Sequence, residues 1–536
     1  MKFNPHTEPA QENQFFSPMS RKTVLGLLFI CALGIRILHT SNHLLDFHPG
    51  RQYRSALIAR AYYFDAKESV PEWRKEIATN NKATLLLEPP IIERIVSLSY
   101  LIVKEEKLWI PRLFSSIFWL IGGIFLYLLS KKLVSPDAAI FSTAFYLFIP
   151  FGIQASRTFQ PDPLMVMGLL ISIFTILWYY QRPSVFRLII ASGICSLSIL
   201  IKFVSLFAII GSFVLAGICS QNFRKLTANI KHGIFVLLSI IPSAIFYSYS
   251  IWITKYALRN AVQGNIQPHL LLKIGFWKGW LTLIGKVGGI GQVIAFGKAL
   301  GYAAFLLSLL GIFMFRDRLS RGMLAGLWLG YFLFGLIFSY TTHTHDYWHL
   351  QIIPIIALSL APLAQFAINQ LNQHKGLCNM AAIFVLIILV LSSFIFFQAN
   401  WKSKSLDFKK KLHTAQEIGQ VVNHSMKTLF LAEHYGRWLK YHGELDGLSW
   451  PAHWDFEARK KKRLKIIRGE ELFNRIYSRH APEFFVVTFI GEFDRQHDLK
   501  IFLYNHFPVL VQDNNYLIFD LRRKKNSDLP DNELAF

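Results

Sequence analysis

The residue of this chain best suited to act as a base is Asp46, in the segment Leu-Asp-Phe-His-Pro-Gly-Arg-Gln-Tyr-Arg of residues 45–54. A helix that starts after the Pro-Gly pair would carry Arg51, Arg54 and Ser55 on one face. A carboxylate beside two cations suits removal of a proton from a hydroxyl next to a phosphate leaving group. The alternative is an interfacial aspartate that forms a salt bridge with arginine.

A second acidic candidate, Asp162, stands between Pro161 and Pro163. Pro163 suits the first turn of a helix, so Asp162 is predicted as the N-cap, which is a sufficient structural role by itself. Arg157, five residues earlier, is a candidate phosphate ligand. Capping and function are therefore equally good interpretations of Asp162.

Two further charged residues, Glu88 and Lys202, lie at predicted span or helix ends. Glu88 precedes two prolines, which hold it in an extended conformation. It is interpreted either as a group that orients a substrate hydroxyl or as a helix cap. Lys202 serves either as a phosphate ligand or as an anchor whose amine reaches the interface.

A histidine-rich turn covers residues 341–349 and contains His343, His345, Asp346, Tyr347 and His349. A catalytic zinc usually needs three protein ligands and an open position, so a divalent metal is an alternative that the spacing does not favour. Hydrogen bonds from the His and Tyr side chains to phosphate or sugar are the favoured interpretation. An aromatic belt at the membrane interface would explain Tyr347 without any function.

The elements that position these residues follow from composition. Of 536 residues, 53% are hydrophobic, 15% are aromatic and only 17% are charged, against about one quarter charged in soluble domains. The net charge of +24 suits lysine and arginine in cytoplasmic loops and at lipid headgroups, and no nucleic-acid partner is expected. The four cysteines lie in or beside apolar runs and are interpreted as small core residues.

Apolar runs long enough to cross about 30 Å of hydrocarbon predict about eleven transmembrane helices. The predicted spans are 23–40, 109–130, 138–155, 163–180, 186–203, 204–220, 233–253, 297–315, 322–340, 350–369 and 379–398. With residues 1–22 in the cytoplasm, each short inside loop is cationic, as the positive-inside rule requires. An odd number of spans then leaves the C-terminus outside.

All the candidate residues fall on the predicted outer side. The long first outer loop, 41–108, has amphipathic patterns near 51–66 and 90–103 that suit interfacial helices. Residues 23–399 are predicted as the transmembrane domain that includes this loop. Residues 400–536 read as an extracytoplasmic α/β domain, with strands at 428–432, 484–488 and 516–521 and helices at 406–422 and 470–478.

These motifs occur in an order that resembles a known family. Asp46 in a long first loop, Glu88-Pro-Pro, Pro111-Arg-Leu at the start of span two, Phe159-Gln-Pro-Asp-Pro and the turn from His345 to Pro354 are similar to the GT-C glycosyltransferases. The similarity is to glycosyltransferase family 39, which includes protein O-mannosyltransferases and the aminoarabinose transferase of lipid A. It covers residues 23–370.

The resemblance implies transfer of a sugar from a polyprenyl-phosphate carrier to a protein, lipid or polysaccharide, with inversion at the anomeric carbon. It implies that Asp46 is the base, that Asp162 helps to bind acceptor or donor, and that Arg51 and Arg54 neutralise the carrier phosphate. Glu88 falls at the charged position before the double proline. Many relatives have a second acidic residue beside the first-loop aspartate, where this chain has Phe47.

A transporter or flippase is the alternative, but it would be expected to have inverted repeats and ionisable residues near the bilayer midplane. Neither is evident in the sequence. The protein is therefore expected in a bacterial inner or plasma membrane, with membrane lipids, a lipid-linked sugar and an acceptor as partners.

Overall fold

A computed structural model describes residues 15–40, 44–85, 88–221, 230–253, 262–288, 297–371, 386–395 and 406–525, together with residues 383, 397 and 398. The chain forms two compact units. The membrane unit comprises Met1–Asn42, Leu87–Ile92 and Leu108–Ser403. The loop–sheet unit comprises His43–Leu86, Glu93–Lys107 and Lys404–Phe536.

The α-helices of the described residues are numbered in chain order. Up to residue 253 they are α1 (Pro18–Ile37), α2 (Pro49–Asp65), α3 (Glu72–Leu85), α4 (Ile91–Val103), α5 (Trp109–Leu133), α6 (Pro136–Phe148), α7 (Pro150–Ala155), α8 (Asp162–Gln181), α9 (Val185–Ile201), α10 (Ser205–Gln221) and α11 (Ile230–Ile253). In the remainder they are α12 (Ile274–Gly288), α13 (Gly297–Gly311), α14 (Arg318–Ile337), α15 (Ser339–Thr342), α16 (Ile352–Leu371), α17 (Leu386–Ile395), α18 (Leu406–Val421), α19 (Arg437–His442), α20 (His453–Lys461), α21 (Gly469–His480), α22 (Ile490–Arg495) and α23 (His497–His506).

Six helices within the described ranges are long and apolar enough to cross a membrane: Pro18–Ile37, Trp109–Leu133, Asp162–Gln181, Ile230–Trp252, Arg318–Ile337 and Asp346–Gln370. Shorter apolar helices match several of the other predicted spans: Val185–Ile201, Ser205–Ser220, Ala299–Met314 and Leu386–Ile395. The predicted span 138–155 is divided between α6 and α7 at Pro150, which has no N–H to donate within a continuous helix. The count of eleven spans stays a prediction.

Several of these helices begin at a side chain that caps the first turn. Ser17, Ser135 and Ser184 each accept a hydrogen bond from the backbone N–H three residues later. Asp317 does the same for α14. Such caps satisfy backbone donors that no helical carbonyl can reach, and each contributes about 1 kcal/mol.

Helices α10 and α14 approach each other unusually closely. A β-carbon on Gly326 would overlap the carbonyl oxygen of Gly211, and one on Gly330 would overlap the carbonyl oxygen of Phe207. Small residues allow membrane helices to pack backbone to backbone, where dispersion forces replace a hydrophobic driving force. We call this contact the glycine seam.

The loop–sheet unit joins the first-loop helices to the C-terminal domain. Arg60 on α2 forms a salt bridge of 3.0 Å with Glu106, and its guanidinium lies 3.6 Å from the ring centroid of Tyr441. The hydroxyl of Tyr53 and Nε2 of His442 are 2.9 Å apart. Helix α4 lies within the predicted range 90–103, and α2 overlaps the predicted range 51–66 but begins two residues before it. Helix α3 was not predicted.

The sheet has the strand order β2-β1-β3-β5-β4. Its strands are β1 (Thr428–Leu431), β2 (Gly447–Ser449), β3 (Phe484–Val487), β4 (Val509–Gln512) and β5 (Leu517–Asp520). Strands β2, β1 and β3 are parallel, and β3, β5 and β4 are antiparallel. Alternate residues such as Leu429, Phe485 and Phe519 lie in a buried core with Phe473 of α21. The three predicted strands correspond to β1, β3 and β5.

Two other details concern the cysteines. Cys195 is buried, as predicted, but Cys31 is exposed on α1, so the prediction that it is a core residue is wrong. The apolar run around Cys31 covers a helix of which little is buried within the protein, and an apolar run alone does not tell which face a residue is on. Cys378 lies outside the described residues.

Candidate functional site

The turn that carries Asp46 is held by a buried glutamine. Gln52, in the first turns of α2, donates its amide to Oδ1 of Asp46 at 3.1 Å and to the carbonyl oxygen of Phe47 at 2.6 Å. His48 has a left-handed backbone (φ 46°) and Pro49 follows as the first residue of α2. This conformation is uncommon outside glycine, and it turns the chain from the half-buried Asp46 into the helix.

The two arginines predicted beside Asp46 lie on α2, one turn apart and half-buried. Ser55, predicted on the same face, is buried and donates a hydrogen bond of 2.6 Å to Oε1 of Glu93. Glu93 is 3% exposed, so this contact ties α2 to α4. Asp46, in the turn before α2, and Arg51 and Arg54, on α2, all belong to the loop–sheet unit.

The C-terminal domain braces the start of α2. Nη1 of Arg437 donates to the carbonyl oxygen of Gly50 at 2.6 Å, and Gly50 packs against His434. Three successive residues, His434, Tyr435 and Gly436, have positive φ angles of 55°, 62° and 64°. Burial lowers the pKa of His434 to about 4, so its imidazole is neutral at pH 7.

In the membrane unit, Asp162 and Lys202 form a buried salt bridge. Nζ of Lys202 lies 2.6 Å from Oδ1 of Asp162, with side-chain exposures of 1% and 3%. Pro161 occupies the N-cap of α8 and Asp162 lies in its first turn, so the prediction of Asp162 as the N-cap is wrong. Pro161 already has a helical backbone (φ −69°, ψ −12°), so the helix starts at Asp162, one residue earlier than predicted.

Lys202 lies where α9 ends and before α10 begins, with an extended backbone. Its Nζ is 5.4 Å from the ring centroid of Tyr347 and 4.9 Å from that of Trp348. The structure thus brings together three predicted features: the aspartate at the start of α8, the lysine between α9 and α10, and the aromatic part of the late turn. Aromatic faces stabilise a partly desolvated ammonium.

Three buried arginines surround the turn that follows α7. Nε of Arg112 donates to the carbonyl oxygen of Arg157 at 3.3 Å, and Nε of Arg36 donates to Oγ of Ser156 at 2.7 Å. The guanidinium of Arg157 lies 4.5 Å from the ring centroid of Phe397. Arg36 was not predicted, although a lone arginine at the end of an apolar span is a recognised functional signal.

The histidines of the late turn have different surroundings. His349 is buried, with Nδ1 2.7 Å from the hydroxyl of Tyr331 and Nε2 2.7 Å from the carbonyl oxygen of Thr342. Nδ1 of His345 lies 2.6 Å from Oγ1 of Thr344. Both ring nitrogens of His349 contact the protein, so its geometry suits support of the turn, and ligand binding by His345 and His349 stays a prediction.

Asp346, also in this turn, pairs with Lys286 of α12 at 2.5 Å. Lys286 was not predicted, because it lies in a segment that was read as a loop. Within the described residues, no group of three His, Cys, Asp or Glu side chains is placed to hold a metal ion.

Glu88 is half-buried and lies just before α4, separated from the start of that helix by Pro89 and Pro90. The backbone N–H of Ile91 donates to the carbonyl oxygen of Pro89 at 2.8 Å. Glu88 thus belongs to the short part of the first loop that is assigned to the membrane unit. Its role in substrate binding stays a prediction.

Comparison with known proteins identifies the fold. The model of the family described as dolichyl-phosphate-mannose-protein mannosyltransferase matches residues 87–249. No curated protein matches the chain. Among solved structures, ArnT from Cupriavidus metallidurans in the apo state is 12% identical, with a TM-score of 0.58 over 94% of this chain and 98% of that chain.

Two ligand-bound structures are also similar. ArnT from the same organism bound to undecaprenyl phosphate has a TM-score of 0.55 and 12% identity, over 94% of this chain and 97% of that one. The archaeal oligosaccharyltransferase AglB from Archaeoglobus fulgidus, in complex with an inhibitory peptide and a dolichol-phosphate, has a TM-score of 0.53 and 12% identity. This match covers 95% of this chain and 75% of that chain. These similarities confirm the predicted fold, a helical membrane protein of GT-C type with a small C-terminal sheet domain.

Proposed function

We propose that this chain is an inverting glycosyltransferase that moves a sugar from a polyprenyl-phosphate carrier to an acceptor outside the cytoplasm. The observation that carries the proposal is the buried Lys202 ammonium, held between a carboxylate and two aromatic rings at the junction of two apolar helices. A desolvated cation at a span end suits a lipid phosphate, which brings its anion to that depth by virtue of its prenyl chain.

The similar solved structures support the same ligand class. One of them holds undecaprenyl phosphate and another a dolichol-phosphate, and the matching family model is named for a dolichyl-phosphate-mannose donor. A transporter or flippase is not favoured, because the similar structures and the family model point to sugar transfer.

In the proposed reaction, the carboxylate of Asp46 takes a proton from an acceptor hydroxyl or amine. The acceptor atom bonds to the anomeric carbon while the bond from that carbon to the phosphate oxygen breaks. The phosphate leaves with the bonding electron pair, and configuration inverts because attack and departure occur on opposite faces. General base catalysis of this kind contributes about 10²–10⁴-fold.

Cationic residues stabilise the charge that the leaving phosphate acquires. We assign this role to Arg51, Arg54, Arg157 and Lys202. Asp162 holds the Lys202 side chain in place, because the buried salt bridge between them offsets part of the cost of burying the ammonium. Electrostatic stabilisation by preorganised groups is usually the largest single contribution to catalysis.

The test is sugar transfer by purified protein in lipid nanodiscs with a polyprenyl-phosphate sugar as donor. Asp46→Asn should lower kcat by about 10²-fold or more, because the amide cannot accept the proton. Asp65→Asn is the matched control, since Asp65 is exposed at the last turn of α2. A wild-type rate for Asp46→Asn would remove Asp46 from the proposal.

The sugar and the acceptor are then identified in cells. Mass spectrometry of cell-envelope glycans and lipid-linked sugars is compared between cells with the active protein and cells with Asp46→Asn. A product that is present only with the active protein would identify both the transferred sugar and the acceptor. The proposed orientation has the N-terminus in the cytoplasm and the loop–sheet unit outside, in a bacterial plasma membrane.

A further inference from the structure

A cleft lies entirely within the C-terminal domain. It has a volume of about 620 Å³ and is formed by α20, α21, the segment that connects them and the residues after the edge strand β2. This volume is within the range of small-molecule binding sites, about 300–1,000 Å³. None of the residues that we assign to sugar transfer lines it.

Part of the cleft lining is apolar, and we call this part the apolar wall. It consists of Leu464, Ile467, Leu472, Ile476 and Phe456. Leu464 is 50% exposed. It is an exposed apolar side chain in a part of the domain that is otherwise rich in charged residues. A wall of this kind can contact a sugar ring or a short aliphatic body.

Basic residues also line the cleft: Arg459, Lys462, Arg475, Arg479 and His480. Arg475 and Arg479 lie one turn apart on α21 and are exposed. Within the residues that the structure describes, neither guanidinium forms an ion pair. The cleft also borders a strongly basic segment, because seven of the ten residues 459–468 are lysine or arginine.

The single acidic group in the cleft is already used in the fold. Oδ2 of Asp455 accepts a hydrogen bond of 3.0 Å from the backbone N–H of Ala452 at the start of α20, and Oδ1 accepts one of 3.3 Å from the hydroxyl of Tyr435. Asp455 therefore stabilises a helix terminus and does not face the arginines as a counter-ion. The positive charges of Arg475 and Arg479, one turn apart on α21, repel one another. A bound anion would relieve that repulsion.

We propose that this cleft binds a phosphate ester: a phosphate group on Arg475 and Arg479, with its attached body against the apolar wall. Guanidinium groups bind phosphate oxygens through paired, charge-assisted hydrogen bonds. The ester can be a sugar phosphate or a lipid headgroup, since both present the same anion and a small body. This site is independent of the proposed transferase reaction.

The test measures binding to the full-length protein in uncharged nanodiscs by thermophoresis. The probes are glucose 1-phosphate, dihexanoyl phosphatidic acid, inorganic phosphate and glucose. The double variant Arg475→Gln/Arg479→Gln should weaken binding of the preferred ester by at least about tenfold, because two charge-assisted contacts are lost. Arg523→Gln/Lys524→Gln, which removes the same charge from an exposed part of the domain, should leave it unchanged.

Leu464→Ser tests the apolar wall separately. It should weaken binding of the ester but not that of inorganic phosphate, and Leu464 is exposed enough for the fold to tolerate the change. Preference for glucose 1-phosphate would identify a soluble or glycan source, and preference for the short lipid would identify a headgroup. The proposal is overturned if no ester binds more tightly than glucose, if inorganic phosphate binds as tightly as both esters, or if the two double variants weaken binding equally.

Discussion

At the scale of single residues, Gln52 is a side chain that was not itself a candidate for chemistry but that contacts one that was, Asp46. Its amide joins Asp46 to the backbone of Phe47, and it is fully buried. Nothing in the sequence distinguishes this glutamine from an exposed one on an interfacial helix. Asp46 was recognisable from its type and its neighbours, but its partner depends on a turn that only the fold defines.

We expect Gln52→Leu to lower kcat by about ten- to a hundredfold with little change in KM for the donor. The carboxylate would lose the contact that fixes its direction, and small misplacements of a catalytic group are costly. Gln420→Leu, at an exposed position of α18, is the control. An effect on KM alone would show that Gln52 does not act through Asp46.

The Asp162–Lys202 pair gives a prediction that separates folding from ligand binding. Lys202→Met leaves Asp162 buried without its ammonium, which should destabilise the protein by about 3–5 kcal/mol. The double variant Asp162→Asn/Lys202→Met removes both charges and should recover most of that stability. Neither variant should bind polyprenyl phosphate with wild-type affinity.

Thermal unfolding in nanodiscs and binding of undecaprenyl phosphate measure the two effects. If the double variant regained both stability and binding, the pair would be purely structural. Part of this arrangement was foreseeable, since Lys202 and Asp162 were both singled out at predicted span ends. Their pairing was not, because they are forty positions apart and a complete helix, α9, lies between them.

At the scale of elements, the sequence predicted most apolar helices because long apolar runs have few other stable structures in a membrane. It missed α3 and α12, whose sequences have no extended apolar run and read as loops. It also missed the edge strands β2 and β4. Each has only three or four residues, some of which are exposed. A strand this short has too few residues for its alternating apolar pattern to be recognised in the sequence.

The glycine seam predicts a strong effect from a single methyl group. Gly326→Ala should destabilise the membrane unit, because its β-carbon would meet the backbone of α10 at Gly211, which cannot move without separating the helices. We expect a loss of about 1–3 kcal/mol, measured by thermal unfolding in nanodiscs.

The control for this change is Gly193→Ala on α9. A β-carbon there has nothing within 4 Å, and alanine is the better helix former by about 1 kcal/mol. This variant should therefore be neutral or slightly stabilising. Equal behaviour of the two variants would show that α10 and α14 do not rely on close backbone contact.

At the scale of the whole molecule, the sequence separates a transmembrane domain that includes the first outer loop from a C-terminal domain that begins near residue 400. In the structure the first-loop helices and the sheet domain form one unit. The contacts that join them, such as Arg60 with Tyr441 and Arg437 with Gly50, link residues more than 380 positions apart. Local patterns in a single sequence carry no information on such pairs.

We expect Arg437→Ala to lower kcat several-fold, although Arg437 is far along the chain from Asp46. It would remove the hydrogen bond to Gly50 that braces the turn before α2. Hydrogen exchange of the backbone at residues 44–52 should become faster. Arg495→Ala, exposed in the same domain, should change neither, and an unchanged exchange rate in Arg437→Ala would contradict the bracing role.

The bond between Arg437 and Gly50 also sets the time at which full activity can be reached. The ribosome adds about 5–20 residues per second, so the 387 positions between these residues correspond to roughly 20–80 s of synthesis. During that interval the segment that carries Asp46 has already been made, but the arginine that braces it has not. A nascent chain would therefore hold Asp46 unbraced, and sugar transfer would reach its full rate only when the last domain has been made and has folded onto the first loop.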